Sequence, residues 1–342
     1  MDGDFVADYG ITEPFTLYFN FLLQASAITN LLTTPWNSSK TTMAAAYVDK
    51  GNLEDPISAL KIAPRPQPTP KEGWVRVKMQ AVALNYHDIF TMRGLGMRPP
   101  KFPLILGCEG TGVLEDGTEV LIYPVMGNPN IKGDETLDPE PHVFSEQVDG
   151  TLAEYVNVPL RNAVLKPREL EMVSAGVLGI AWLTAYRVLF SKAGLKAGQT
   201  ILVQGSSGGV TTALIQIGNA AGMKVWCTGR TAEKRELGLK LGAEKAFQSG
   251  EELPEKVDAV FDTSGEVTWE HSVNSIRAGG TIVTCGGHSG RSIPMEVGKM
   301  FVEQLNIRRS YLGNLQEFRD LISFVVVKSI MPHVSLIILC FH

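Results

Sequence analysis

A chain of 342 residues, 44% hydrophobic and 20% charged, has material for roughly two domains of about 150 residues, each with a buried core. A net charge of −5 without a basic cluster or stripe excludes electrostatic capture of nucleic acid. Residues 322–340 come nearest to the roughly 18 apolar residues a membrane span needs, but Lys328, Pro332 and His333 break the run.

Residues 1–42 stand apart from the rest. Asp2, Asp4, Asp8 and Glu13 precede an apolar, aromatic stretch over 15–28, and a Thr/Ser-rich run follows. Ala25-Ser26-Ala27 resembles a signal-peptidase site, yet the acidic start opposes both a secretory signal and an Arg-rich presequence. An atypical N-terminal extension is the expectation. From Met43 the pattern turns strand-like, with Ala45-Ala46-Tyr47-Val48 first. Pro64, Pro66, Pro68 and Pro70 predict an extended surface connection. Residues 74–83 alternate well, and short strands among glycines follow over 104–114 and 120–123. An all-β, barrel-like unit over 43–165 is predicted.

Over 166–312 strand and helix alternate. Residues 174–193 have helical spacing, 200–203 read as a buried strand, and helices over 232–241 and 267–277 separate strands at 223–228, 257–262 and 281–285. This rhythm predicts α/β architecture with a doubly wound parallel sheet. Four scattered cysteines, Cys108, Cys227, Cys285 and Cys340, form no metal or redox pair, which suits a reducing, cytoplasmic location.

The first strand of this half runs into Gly205-Ser206-Ser207-Gly208-Gly209-Val210 and then a helix. A pyrophosphate needs close backbone approach and a helix N-terminus, and this context supplies both; a plain tight turn is the alternative. The next strand ends in Thr228-Gly229-Arg230, with Lys234 after it, where an NAD site would carry a carboxylate. A guanidinium suits a 2′-phosphate, so NADPH is the expected cofactor, unless Arg230 is only a solvated charge.

These residues join a longer series. Leu84-Asn85-Tyr86-His87-Asp88, Arg93-Gly94, Gly107-Cys108-Glu109-Gly110-Thr111-Gly112-Val113, Thr184-Ala185-Tyr186 and Gln204 to Val210 together resemble the medium-chain dehydrogenase/reductase superfamily. The likeness is to its quinone-oxidoreductase-like and zinc-type alcohol dehydrogenase-like branch. Gly133-Asp134-Glu135-Thr136-Leu137-Asp138-Pro139 is similar to fungal members. The resemblance implies a GroES-like catalytic barrel and a Rossmann domain, with the cofactor between them. It places Gly205 to Val210 at the pyrophosphate and Arg230 and Lys234 at the 2′-phosphate. Ser264, Gly265, Cys285 and Gly286 fall near the ribose and nicotinamide, and Leu312-Gly313-Asn314 beside the nicotinamide. A homodimer joined along the edges of its Rossmann sheets is also implied.

The positions that hold catalytic zinc in metal-dependent relatives match Asn85, Cys108 and Ile180, of which only Cys108 could serve as a thiolate, so no zinc is expected. Without a metal to polarise a carbonyl, quinones and α,β-unsaturated ketones become the expected small-molecule substrates, since their developing charge is delocalised. Asn85 and Tyr86 are the candidate donors, while Asp88 and His87 read as structural. After residue 312 the chain is expected to return to the barrel through a helix over 315–327 and a strand from Ile330. The apolar ending over 333–342 departs from the family's pattern, and the expectation from it is a barrel left incomplete at the C-terminus. A non-catalytic or truncated NADPH-binding protein is therefore the alternative reading.

Overall fold

Alternating apolar residues and frequent Gly/Pro turns build the first half from short antiparallel strands. They are β1 (Thr42–Val48), β2 (Leu60–Pro66) and β3 (Trp74–Val82), then helix α1 (Tyr86–Met92) and β4 (Leu104–Ile105). After these come β5 (Gly110–Val113), β6 (Glu119–Ile122), β7 (Val125–Met126), β8 (His142–Val143), β9 (Tyr155–Pro159) and β10 (Ala163–Leu165). A five-stranded sheet in the order β10-β6-β5-β3-β9 curls against a three-stranded one, β2-β1-β4. The computed structural model describes residues 41–96, 98–131, 133–290 and 292–337. The extension up to residue 40 and the end from residue 338 lie outside the described residues.

Two sequence expectations change here. Residues 60–66 form a strand through Pro64 and Pro66, not a mere connection. The strand lies at its sheet's edge, and the two prolines face Ala44 and Thr42 in register, so both missing N–H groups point away from the ladder. The strand expected from Ile330 is absent from the described residues. Pro332 has no N–H to offer a ladder. Instead the side-chain amide of Gln216 takes both backbone neighbours, donating to Met331 O at 2.8 Å and accepting from His333 N at 3.0 Å.

The second half alternates as predicted. Helix α2 (Met172–Ala175) leads to α3 (Leu183–Arg187), which wider π-helical turns extend at both ends, over Leu178–Trp182 and Val188–Lys192. Next are β11 (Thr200–Val203), α4 (Gly209–Ala220), β12 (Lys224–Gly229), α5 (Ala232–Lys240), β13 (Lys245–Gln248) and β14 (Val257–Asp262). The remainder comprises α6 (Glu266–Ser275), β15 (Ile276–Thr284), α7 (Val297–Val302), β16 (Asn306–Arg309) and α8 (Leu315–Val327). Six parallel strands lie in the order β13-β12-β11-β14-β15-β16. The order reverses between β11 and β14, so a crevice opens at the carboxyl ends of these strands.

The GroES-like unit and the Rossmann unit share one continuous core. Val77 and Ile122 of the barrel, Leu183 of α3, Ile201 and Leu214 of the Rossmann half, and Phe318 and Val325 of α8 belong to the same buried cluster. No helix among the described residues is long and apolar enough to cross a membrane.

Candidate active site

Strand β11 ends in the crevice, and the turn after it must bring bare backbone to the helix that follows. Gly205 has φ +99°, a left-handed conformation that glycine adopts without penalty. Gly208 and Gly209 are exposed and open α4, a 12-residue helix whose first-turn N–H groups have no partner within the helix. Thr211 reaches back to Gly208, accepting from its N–H at 2.9 Å and so setting the turn. The two serines divide. Ser206 is 2% exposed and its hydroxyl donates to Lys234 O at 2.6 Å, which ties the turn to α5 and uses the proton a phosphate would need. Ser207 is half-buried at the turn's mouth, beside Val210.

Arg230 and Lys234 meet just beyond the end of β12. Burial and the neighbouring Arg230 charge hold the Lys234 pKa below its ordinary value. Two cations gathered there make a place where an anion is favoured. Ser264, Cys285 and Gly286 follow β14 and β15 at the same edge of the sheet. Asp262 organises this corner, accepting from Ser264 N at 2.9 Å, Gly265 N at 3.0 Å and the Ser272 hydroxyl at 2.7 Å. Burial pushes the Cys285 thiol up to about 12, so it stays protonated. Asn314 caps α8: its side chain accepts from Glu317 N at 2.8 Å.

The barrel's contribution comes from α1 and the loop before β5. Asn85 Nδ2 donates to Glu109 Oε1 at 2.6 Å, and Glu109 Oε2 also accepts from Ile180 N at 2.9 Å. Glu109 is 1% exposed, and burial pushes its carboxyl up to about 7 against these hydrogen bonds. Asp88, fully buried, accepts from Asn85 N and from Gly107 N, each at 2.8 Å. It is a structural brace, as expected. Tyr86 reaches across the crevice: its ring lies 5.8 Å from that of His288, whose Nε2 is 3.3 Å from Ser264 Oγ. Its buried hydroxyl finds no well-aligned protein partner. Burial raises the Tyr86 pKa, with the nearby Arg93 charge opposing, so the hydroxyl keeps its proton.

His87, read as structural, has its Nε2 buried without a hydrogen bond, 3.8 Å from Glu146 Oε1. Burial lowers its pKa to about 4, a hydrogen bond to the Phe144 backbone pulling back. The unfolded chain therefore protonates His87 near pH 6.5 while the fold resists until about pH 4. The stability this neutral ring contributes is complete above pH 6.5 and lost as pH falls towards 4. Its side chain is 18% exposed, which trims the effect to about 2 kcal/mol. In His87→Gln, urea midpoints compared with wild type at pH 7 and pH 4.5 should show that loss removed. Equal acid sensitivity in both proteins would contradict it.

The donor set where a catalytic zinc would sit does not fit one. Asn85 has a neutral amide already spent on Glu109 and Ile180 has no donor atom in its side chain, so of the three positions only Cys108 could supply a ligand, where a catalytic site takes three. No group of three or more His, Cys, Asp or Glu among the described residues could hold a metal ion. Sequence reasoning passed over Glu109, Glu146 and His288. Glu109 had a signal, a carboxylate inside an otherwise apolar, glycine-flanked strand motif. The others meet only through folding.

Residues 71–168 match the family model described as alcohol dehydrogenase GroES-like domain, and residues 209–326 that of zinc-binding dehydrogenase. A probable quinone oxidoreductase of Schizosaccharomyces pombe is 32% identical over 256 residues, 70% of this chain and 72% of that protein. The quinone oxidoreductase of Lama guanicoe is 29% identical over 230 residues, 64% of this chain, which spans 66% of that protein's length. Among solved structures, an NAD-dependent alcohol dehydrogenase superposes with a TM-score of 0.76 at 28% identity, covering 83% of this chain and 89% of its own.

Proposed function

Because this chain belongs to the medium-chain dehydrogenase/reductase superfamily, in its quinone-oxidoreductase-like branch, we propose that it is an NADPH-dependent reductase of quinones, α,β-unsaturated ketones or related carbonyls, acting without catalytic zinc. The coarser part is the family's own: an oxidoreductase served by a nicotinamide cofactor. The finer part is supported above all by the meeting of Tyr86 with His288 beside Ser264. That contact brings the barrel's candidate donors to the crevice where the Rossmann strands end.

The residues present fit the cofactor. The open turn at Gly205, Gly208 and Gly209 lies before the N-terminus of α4, and Arg230 and Lys234 collect positive charge one strand away. When bound, the dinucleotide supplies hydride. The chain's part is to orient, exclude water and stabilise charge on the substrate oxygen. Tyr86 holds a buried, protonated hydroxyl for that task, and Asn85 Nδ2 keeps one N–H beyond its bond to Glu109. Two copies joined along β16 would also cover Val297 and Phe301 on the adjacent α7, each 70% exposed.

Fluorescence titration with NADPH and NADH, followed by addition of 9,10-phenanthrenequinone, tests the reading. Preferential NADPH binding with oxidation is expected; binding without oxidation would favour a non-catalytic protein. In the double variant Asn85→Ala, Tyr86→Phe, kcat/KM should fall at least about tenfold, the loss of about 1.4 kcal/mol of transition-state stabilisation. An unchanged kcat/KM would remove both residues from the site.

A further inference from the structure

Residues 312–315 are held more firmly than a connection between two elements requires. Leu312 sits at φ +42°, a left-handed conformation that disfavours any residue with a Cβ. Gly313 is pressed between α3 and α8: a Cβ there would lie 2.5 Å from Leu183 Cδ1 and 3.0 Å from Glu317 Oε2. Three hydrogen bonds secure the backbone that follows. The Tyr123 hydroxyl donates to Gly313 O at 2.9 Å, Asn314 N donates to Glu317 Oε2 at 2.8 Å, and Leu315 N donates to Glu135 Oε1 at 3.2 Å.

Those partners are themselves pinned. Arg187, 3% exposed, binds Asp134 through Nη2 and Glu317 Oε2 through Nη1 at 3.0 Å. Glu135, also 3% exposed, accepts from Arg161 Nη2 at 2.9 Å. The phrase over 133–139, conspicuous in the sequence, is thus one jaw of a buried ionic network, with α3 and α8 as the other. Buried ion pairs add little net stability over apolar packing, and their better-attested use is to fix geometry. Strained backbone persists only where its surroundings over-determine it.

We propose that Asp134, Arg187 and Glu317, with Glu135 and Tyr123, form a positioning clamp that holds residues 312–314 against the nicotinamide half of the cofactor. The inference rests on the nicotinamide reading above. It makes Asp134 and Arg187 positioning residues that touch neither cofactor nor substrate.

Asp134→Asn keeps the shape and removes one charge. Binding of 2′,5′-ADP, a probe of the adenosine half, should stay within about twofold of wild type, while kcat with 9,10-phenanthrenequinone falls roughly tenfold or more. In the ligand-free protein, hydrogen exchange at the Asn314 and Leu315 amides should quicken roughly tenfold. Asp134→Glu should recover part of both losses. Tyr123→Phe deletes the hydroxyl's bond to Gly313 O and leaves Glu135 paired with Arg161, so it guards against a misfolded Asp134 variant; about threefold changes in the same direction are expected. Unchanged exchange and kcat in both variants, or 2′,5′-ADP affinity falling in step with kcat, would overturn the clamp. A wild-type chain that binds 2′,5′-ADP yet oxidises no NADPH would overturn the reductase reading instead, and with it the clamp's catalytic role.

Discussion

Replacing Arg230 and Lys234 together by alanine is expected to weaken NADPH binding roughly 100-fold while NADH binding stays within about threefold. The two cations meet where β12 delivers the chain to the crevice, close enough for Arg230 to depress the Lys234 pKa. Hydrogen bonds to a charged partner contribute about 1.5–3 kcal/mol each, so losing two amounts to about 3 kcal/mol, or roughly 100-fold in Kd. NADH lacks the 2′-phosphate and has nothing there to lose. The fold should survive: Arg230 is exposed, and the bond that ties Ser206 to α5 ends on the Lys234 backbone, which alanine keeps. Fluorescence titration of the two cofactors reads the ratio directly. Equal weakening of both would show that these side chains serve something other than the 2′-phosphate.

The second large effect is on stability. Asp88→Ala should cost about 3 kcal/mol at pH 7, and Asp88→Asn roughly half as much. The carboxylate bridges two parts of the barrel: it accepts from Asn85 N at the start of α1 and from Gly107 N before β5, both at 2.8 Å, inside a fully buried site. Alanine strands two buried N–H groups at about 1–3 kcal/mol each, partly offset because a buried carboxyl no longer has to be desolvated. Asparagine retains one acceptor. That desolvation also sets the pH dependence. Burial pushes the Asp88 pKa up to about 6, so the fold holds a proton that the unfolded chain has already released, and its contribution is lost as pH rises through that value. The gap between wild type and Asp88→Ala should therefore be wider at pH 5 than at pH 8. Urea midpoints at constant m-value measure it. A shift of under about 0.5 kcal/mol would show that water replaces the carboxylate.

Much of the architecture was legible along the chain because local physics carries it. The Gly205 turn, the strand before it and the helix after it announce themselves through glycine's conformational range and through hydrophobic period. Helix α8 was bounded correctly, its Asn314 cap and apolar spacing being local signals. Arg230 could be singled out because its place depends only on which strand it follows. Where tertiary context outweighed local pattern, the sequence misled. The prolines of β2 are tolerated because an edge strand has a free side, and Gln216 captures the segment at Met331 and His333 that was expected to form a strand.

The amino-acid sequence by itself determined the two architectures, their order, the glycine turn after β11 and the positions of Arg230 and Lys234 on which the proposed preference for NADPH rests, since each of these depends on neighbours close along the chain. Only the tertiary structure decided what the polar residues of the crevice do. It spent Ser206 on α5, set Asn85 on Glu109, left the His87 Nε2 without a hydrogen bond, brought Tyr86 to His288, and joined Arg187 to Asp134 and Glu317. These pairings join residues from distant parts of the chain, and the burial that shifts their protonation exists only once both halves have packed around them.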